Sequence, residues 1–164
     1  MSERVLLGID PGYDRIGWSI GEVTGHLLSV RDCGCILTTK SKTLFERYKE
    51  LSDQLESIIT QYHPKEAALE SLFFFKNKKT ALHVSEARGV IQSCIFRNDI
   101  KFFEYTPLQI KQAVTGYGRA DKKAVEKMVL LQIKKNNLIE QKMQIDDTVD
   151  AIAILMTHAT THRV

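Results

Sequence analysis

The sequence predicts an α/β fold, a mixed five-stranded sheet with helices on both faces. Three observations lead there. Hydrophobic residues recur every two positions early in the chain and every three or four from about residue 44 onward. Strand-like and helix-like segments then alternate, which implies parallel strands joined by right-handed crossovers. The first two strand-like runs, by contrast, are separated only by a turn, so they pair as an antiparallel hairpin.

Val5-Leu6-Leu7-Gly8-Ile9 is a continuous apolar run halted by Asp10-Pro11-Gly12, the pattern of a strand covered on both faces. Ile16, Trp18 and Ile20 alternate with Gly17, Ser19 and Gly21 and give the second strand. Thr24-Gly25 turns the chain into a third, over about 26–36. Leu44, Tyr48, Leu51, Leu55, Ile58 and Tyr62 then lie on one helical face, opened by the capping box Thr43-x-x-Glu46 and closed by Pro64. Residues 67–72 read as a fourth strand, 77–97 as a helix, and 101–105 as a fifth strand stopped by Thr106-Pro107, an N-cap with proline at the first helical position. A short helix runs to Gly116 and another over about 121–135. The last carries an apolar face of Val149, Ile152, Ala153 and Met156.

A chain of 164 residues is expected to form a single domain over 1–164, large enough to fold without a disulfide or metal staple. Three cysteines cannot close a disulfide framework, and Cys33 and Cys35 lack a second ligand pair, so all read as buried or half-buried thiols. The opening apolar run is too short for a signal peptide, and no stretch approaches the ~20 apolar residues of a membrane span. The expectation is a soluble, cytoplasmic protein with no membrane partner. Residues 111–135 hold seven Lys/Arg against two Asp/Glu, and Lys76, Lys78 and Lys79 add to that charge. Such a surface suits a polyanion, nucleic acid first, although a solvated helix face would read the same way.

Ligand sites on sheets of this kind lie beyond the carboxyl ends of the strands. Asp10 stands at the end of the first strand and Glu70 near the end of the fourth, both among apolar neighbours. Each alone is equally an end-of-strand acid reaching water. Asp147 and Asp150, three apart, share a face in the first turn of the last helix, where the helix dipole favours carboxylates. Capping explains Asp146 or Asp147 but not Asp150, which leads directly into an apolar run. Oxygen ligands without histidine or cysteine select magnesium or manganese. Four such groups at one point can hold two ions ~4 Å apart, the arrangement for in-line displacement at phosphorus.

Gly8-Ile9-Asp10-Pro11-Gly12 with Gly17, Glu70-Ser71-Leu72-Phe73 with Lys76-Asn77, Ala87-Arg88-Gly89-Val90, Lys111-Gln112, Gly116-x-Gly118 leading to Lys122, and Asp147-x-x-Asp150-Ala151-Ile152 with Thr157-His158 form an ordered set. That set resembles the RuvC family of bacterial Holliday junction resolvases from the first strand to the last helix. The resemblance implies a ribonuclease H-like fold and a homodimeric endonuclease that nicks opposed strands of a four-way DNA junction. It implies Asp10, Glu70, Asp147 and Asp150 as the catalytic, metal-binding set with two Mg2+ per site, for which Mn2+ substitutes. Asp146 is an adjacent carboxylate that could stand in for Asp147. The resemblance also implies DNA contacts by Phe73, Lys76, Arg88, Lys111 and Lys122, with Phe73 acting on bases at the junction, and cooperation with the branch-migration proteins RuvA and RuvB.

Shorter YqgF-type relatives share the opening motif but not the Glu-Ser-Leu-Phe and Ala-Arg-Gly-Val segments. Actin-like ATPases need two such domains, and a non-catalytic DNA-binding module on this fold would be expected to lose carboxylates. His158 and His162 lack the glutamate of a zinc-protease helix and read as exposed C-terminal polar residues.

Overall fold

Strand β1 (Arg4–Asp10) pairs antiparallel with β2 (Arg15–Thr24), in a register that sets Asp10 opposite Gly17. Strand β3 (Leu27–Leu37) continues the hairpin antiparallel to β2, with an irregularity at Ile20/Gly21. Strands β4 (Glu66–Glu70) and β5 (Lys101–Tyr105) join on the other side, β4 parallel to β1 and β5 parallel to β4. The sheet order is β3-β2-β1-β4-β5, the mixed five-stranded sheet expected from the hydrophobic pattern. The structure, a computed structural model, describes residues 4–71, 78–133 and 146–162.

Helices α1 (Leu44–Tyr62) and α2 (Lys78–Arg97) cover one face, where Leu51, Leu55, Ala87 and Ile91 bury Leu7, Ile9 and Ile16. On the other face lie α3 (Pro107–Thr115), α4 (Lys122–Ile133) and α5 (Asp146–Thr161), with Ile110, Val129 and Ile152 in the shared core. The capping boxes are formed in full at Thr43/Glu46 and Thr106/Gln109. Helix α1 ends at Tyr62, two residues before Pro64: the capping His63 adopts the left-handed conformation (φ 50°), and its N–H donates to the Ile59 carbonyl. Helix α3 ends on Gly116 at φ 78°, a position glycine tolerates without strain.

Helix α5 departs from a one-faced amphipathic pattern. Every residue from Thr148 to Ala159 except Asp150 is buried, because the helix lies directly on β1 and β2 and is covered in turn by α3 and α4. That packing overturns the exposed reading of His158, which is fully buried. Its Nε2 lies 2.8 Å from a Glu66 carboxylate oxygen and its Nδ1 2.8 Å from the Tyr105 hydroxyl. Burial holds this imidazole below its usual pKa. The neutral ring then donates from Nε2 to Glu66 and accepts from Tyr105 at Nδ1. His162 is exposed, as expected. Cys33 and Cys94 are buried and Cys35 is half-buried.

Candidate active site

Asp10 and Glu70 are the last residues of two adjacent parallel strands, one step beyond the Ile9–Leu69 pair. Their carboxylates therefore emerge side by side at the carboxyl edge of the sheet. Helix α5 brings the other two acids there because glycines let it approach the strands at backbone distance. A β-carbon on Gly17 would lie 1.8 Å from the Asp147 carbonyl oxygen, and one on Gly8 would lie 2.5 Å from that of Ala151. The Ser19 hydroxyl donates to the Ala151 carbonyl at 2.9 Å and ties the helix down. With Asp10 opposite Gly17 in the hairpin, the first turn of α5 is held against the end of β1.

The electrostatics record the convergence. Burial first, then repulsion from Asp150, Glu70 and Asp147, pushes the Asp10 pKa up to about 8, with Lys122 opposing. Burial followed by Asp150 raises Glu70, against the pull of Lys111, Arg88 and Lys122. Asp150 is raised by burial, while Lys122 lowers it. Like charges at a desolvated site disfavour ionisation, so the group needs cations. Lys122 Nζ lies 3.2 Å from Asp150 Oδ2 and 3.4 Å from Asp146 Oδ2. Arg15 Nε lies 3.0 Å from Asp147 Oδ2. Asp147, not Asp146, is among the charges that repel Asp10, and Asp146 is exposed. Glu70, Lys111, Lys122, Asp150, Pro107 and Ile110 line a cleft of about 320 Å³.

Among the described residues, the buried side-chain polar atoms without a hydrogen bond are Ser71 Oγ, Arg88 Nη2, Asp147 Oδ2 and Thr148 Oγ1. Every one belongs to a residue of this site or in contact with it. Arg88 Nη2 and Asp147 Oδ2 each face an ion-pair partner outside hydrogen-bond alignment. No three acidic, histidine or cysteine side chains among the described residues are drawn together as ligands of one ion. The donors nevertheless fit a hard divalent cation: they are all carboxylate oxygens, and burial beside like charges disfavours their ionisation without one.

Of the DNA-contact residues expected from sequence, Lys111 and Lys122 line the cleft. Phe73 and Lys76 lie outside the described residues. The Arg88 side chain is 6% exposed and turned inward, where Nη1 donates to the Glu70 carbonyl oxygen at 2.5 Å and Nη2 pairs with Glu104. Sequence reasoning missed Arg15, an exposed cation at the start of β2 whose partner Asp147 lies far along the chain. It also missed Arg47, which is buried in the apolar interval of α1, contacts Asp14, and donates to the Tyr13 carbonyl at 3.2 Å. Arg47 thereby pins the turn that follows Asp10.

The family model described as crossover junction endodeoxyribonuclease RuvC matches residues 6–158. A curated relative of that description from Petrotoga mobilis is 45% identical over 159 residues, covering 97% of this chain and 95% of its own length. One from Finegoldia magna is 44% identical, covering 93% and 91%. Among solved structures, Thermus thermophilus RuvC in complex with a Holliday junction substrate superposes with a TM-score of 0.88 at 27% identity, covering 98% of this chain and 95% of that one. The yeast mitochondrial Holliday junction resolvase Ydc2, at 14% identity and a TM-score of 0.69, shares the fold.

Proposed function

The chain belongs to the RuvC family of crossover junction endodeoxyribonucleases, and on that footing we propose that Asp10, Glu70, Asp147 and Asp150 are its catalytic, metal-binding residues. The protein is a ribonuclease H-like nuclease that resolves four-way DNA junctions, and its family implies dependence on a divalent metal. The observation that carries the site assignment is that Asp10 and Glu70 end adjacent strands while the glycine contacts hold the first turn of α5, with Asp147 and Asp150, against that edge of the sheet.

The finer reading is two Mg2+ per site, with Mn2+ as a substitute. Held by these four carboxylates, divalent ions would supply activation of a water and charge stabilisation for the leaving oxygen, giving 5′-phosphate and 3′-hydroxyl ends. The protein's own part is to hold and orient. Asp10 and Glu70 offer ligands from the rigid strand edge. Asp147 and Asp150 close the set from a helix that the glycine contacts cannot let recede. Lys122, which pairs with Asp150, lines the same cleft as Lys111, and both would offer their ammonium groups to a phosphate there. Phe73 and Lys76 remain proposed DNA contacts on the strength of the family resemblance.

Two opposed nicks call for two sites related by a two-fold axis, which an isologous homodimer supplies. The exposed face of α2 suits that contact: Leu82 is 64% exposed, Phe96 is 82% exposed, and Gly89 between them opens onto free space. We further propose a single domain over 1–164, action in the cytoplasm, and cooperation with RuvA and RuvB. No helix among the described residues is long and apolar enough to cross a membrane.

The test is a synthetic four-way junction beside a matched duplex, with magnesium or with excess chelator. Asp10→Asn, Glu70→Gln and Asp150→Asn should each abolish cutting and leave junction binding intact. Undiminished cutting in chelator would overturn the metal assignment, and normal cutting by Asp150→Asn would remove α5 from the site.

A further inference from the structure

Arg88 is a cation held inside the protein at the foot of Glu70. Taking a guanidinium out of water costs several kcal/mol unless its donors are well matched, and here one nitrogen lacks an aligned hydrogen bond. A neutral side chain could fill the same space on α2 at lower cost. The partners show what the charge serves. Nη1 donates to the main-chain carbonyl of Glu70, the last residue of β4. Nη2 pairs with Glu104 on β5. Immediately after Glu70, the Ser71 N–H donates to the Tyr105 carbonyl at 2.9 Å. Glu70 is thus held from both sides, by β5 through Ser71 and by α2 through Arg88.

We propose that Arg88 is a positioning residue for the nuclease reaction: its planar fork fixes the backbone of Glu70 against Glu104 and sets the direction in which the Glu70 carboxylate faces the metal site. This rests on Glu70 being a catalytic ligand. The geometry requires a fork, because two acceptors on different strands must be met at once from one rigid group. Lysine reaches only one of them. This role does not require Arg88 to touch DNA.

The experiment compares Arg88→Met, Arg88→Lys and Glu104→Gln with the wild type and with Glu70→Gln. Single-turnover cutting is measured at saturating junction, together with junction affinity, melting temperature and the Mn2+ concentration giving half-maximal binding by electron paramagnetic resonance. Arg88→Met should cut on the order of 100-fold more slowly at saturating junction and need roughly tenfold more Mn2+, with junction affinity unchanged. Arg88→Lys should recover part of the rate. Glu104→Gln, a change at a half-exposed side chain that leaves the fold undisturbed, should slow cutting by roughly threefold and keeps the test alive if Arg88→Met does not fold. A lower melting temperature with normal saturated rate and normal Mn2+ binding would reduce Arg88 to a structural role and overturn the proposal. Weakened junction affinity with a normal saturated rate would overturn it in favour of DNA contact. If Glu70→Gln itself cuts normally, the site assignment fails; if Glu70→Gln is inactive while the Arg88 and Glu104 variants cut normally, the positioning role alone fails.

Discussion

Removing the Asp10 carboxylate should make the metal-free protein more stable. Asp10 has an ordinary carboxylate pKa near 3.8 in the unfolded chain and about 8 in the native site, because burial and three carboxylates oppose its ionisation. Below the lower value both states hold the proton, and Asp10 contributes no penalty. Between the two values the unfolded chain releases its proton and the native site does not, so native stability falls by about 1.4 kcal/mol per pH unit. Above about 8 the loss is complete and constant. The full shift corresponds to about 6 kcal/mol, of which about 4 kcal/mol is expressed at neutral pH, and since the carboxylate keeps some contact with water, about 3 kcal/mol is the working figure. Asp10→Asn keeps the shape and never carries the charge. In chelator near neutral pH it should therefore melt roughly 6–12 °C above wild type, at the 2–4 °C per kcal/mol typical of a chain this size. Near pH 5 the gap should shrink to about a third. Excess magnesium should raise the wild-type melting temperature and leave the variant nearly unmoved, closing the difference. The assay is differential scanning calorimetry at both pH values, with chelator and with magnesium. An Asp10→Asn protein that melts at or below wild type in chelator at neutral pH, or a gap that does not grow with pH, would refute the clustered-charge account.

Three further outcomes follow from the same geometry. The ion must displace the proton that Asp10 holds up to about pH 8, so half-maximal cutting should need less magnesium as pH rises from about 6 to 8, approaching tenfold less per unit at most, read from metal titrations of the cutting rate. Gly17→Ala drives a methyl group into the Asp147 carbonyl, and should cost about 1–3 kcal/mol in denaturant unfolding while cutting falls sharply as α5 is displaced. His158→Phe leaves Glu66 and Tyr105 short of a partner and should lose about 2–4 kcal/mol of stability, yet the folded fraction should cut at the normal rate, since His158 lies three turns along α5 from Asp147.

The strands and helices were legible because each carries a local cause. Two-residue alternation gives β2, a three-to-four-residue period gives α1, and Thr106-Pro107 starts α3 within one residue of where it begins. Asp10 and Glu70 could be read as site candidates because they end apolar runs, and Asp150 because it interrupts one. A carboxylate among apolar residues needs a reason that no neighbour in sequence supplies. His158 shows the opposite case: near the chain's end its surroundings look polar, and nothing local reveals that a helix covered by two others has no exposed side left for it.

The remaining facts belong to contacts between segments far apart in the chain. Gly17 lets α5 touch β2, and that approach turns Asp147 and Asp150 from helix-start acids into neighbours of Asp10. Asp147 faces the cluster and Asp146 the solvent because helix rotation on the sheet selects one of two adjacent residues. Arg88 reads in sequence as one more cation for DNA, and in the folded protein it is a buried clamp on Glu70. Period and capping are properties of a few consecutive residues, so they survive as pattern. Direction, depth and partner of a charged side chain depend on which strand or helix packs over it, and no spacing in the chain encodes that.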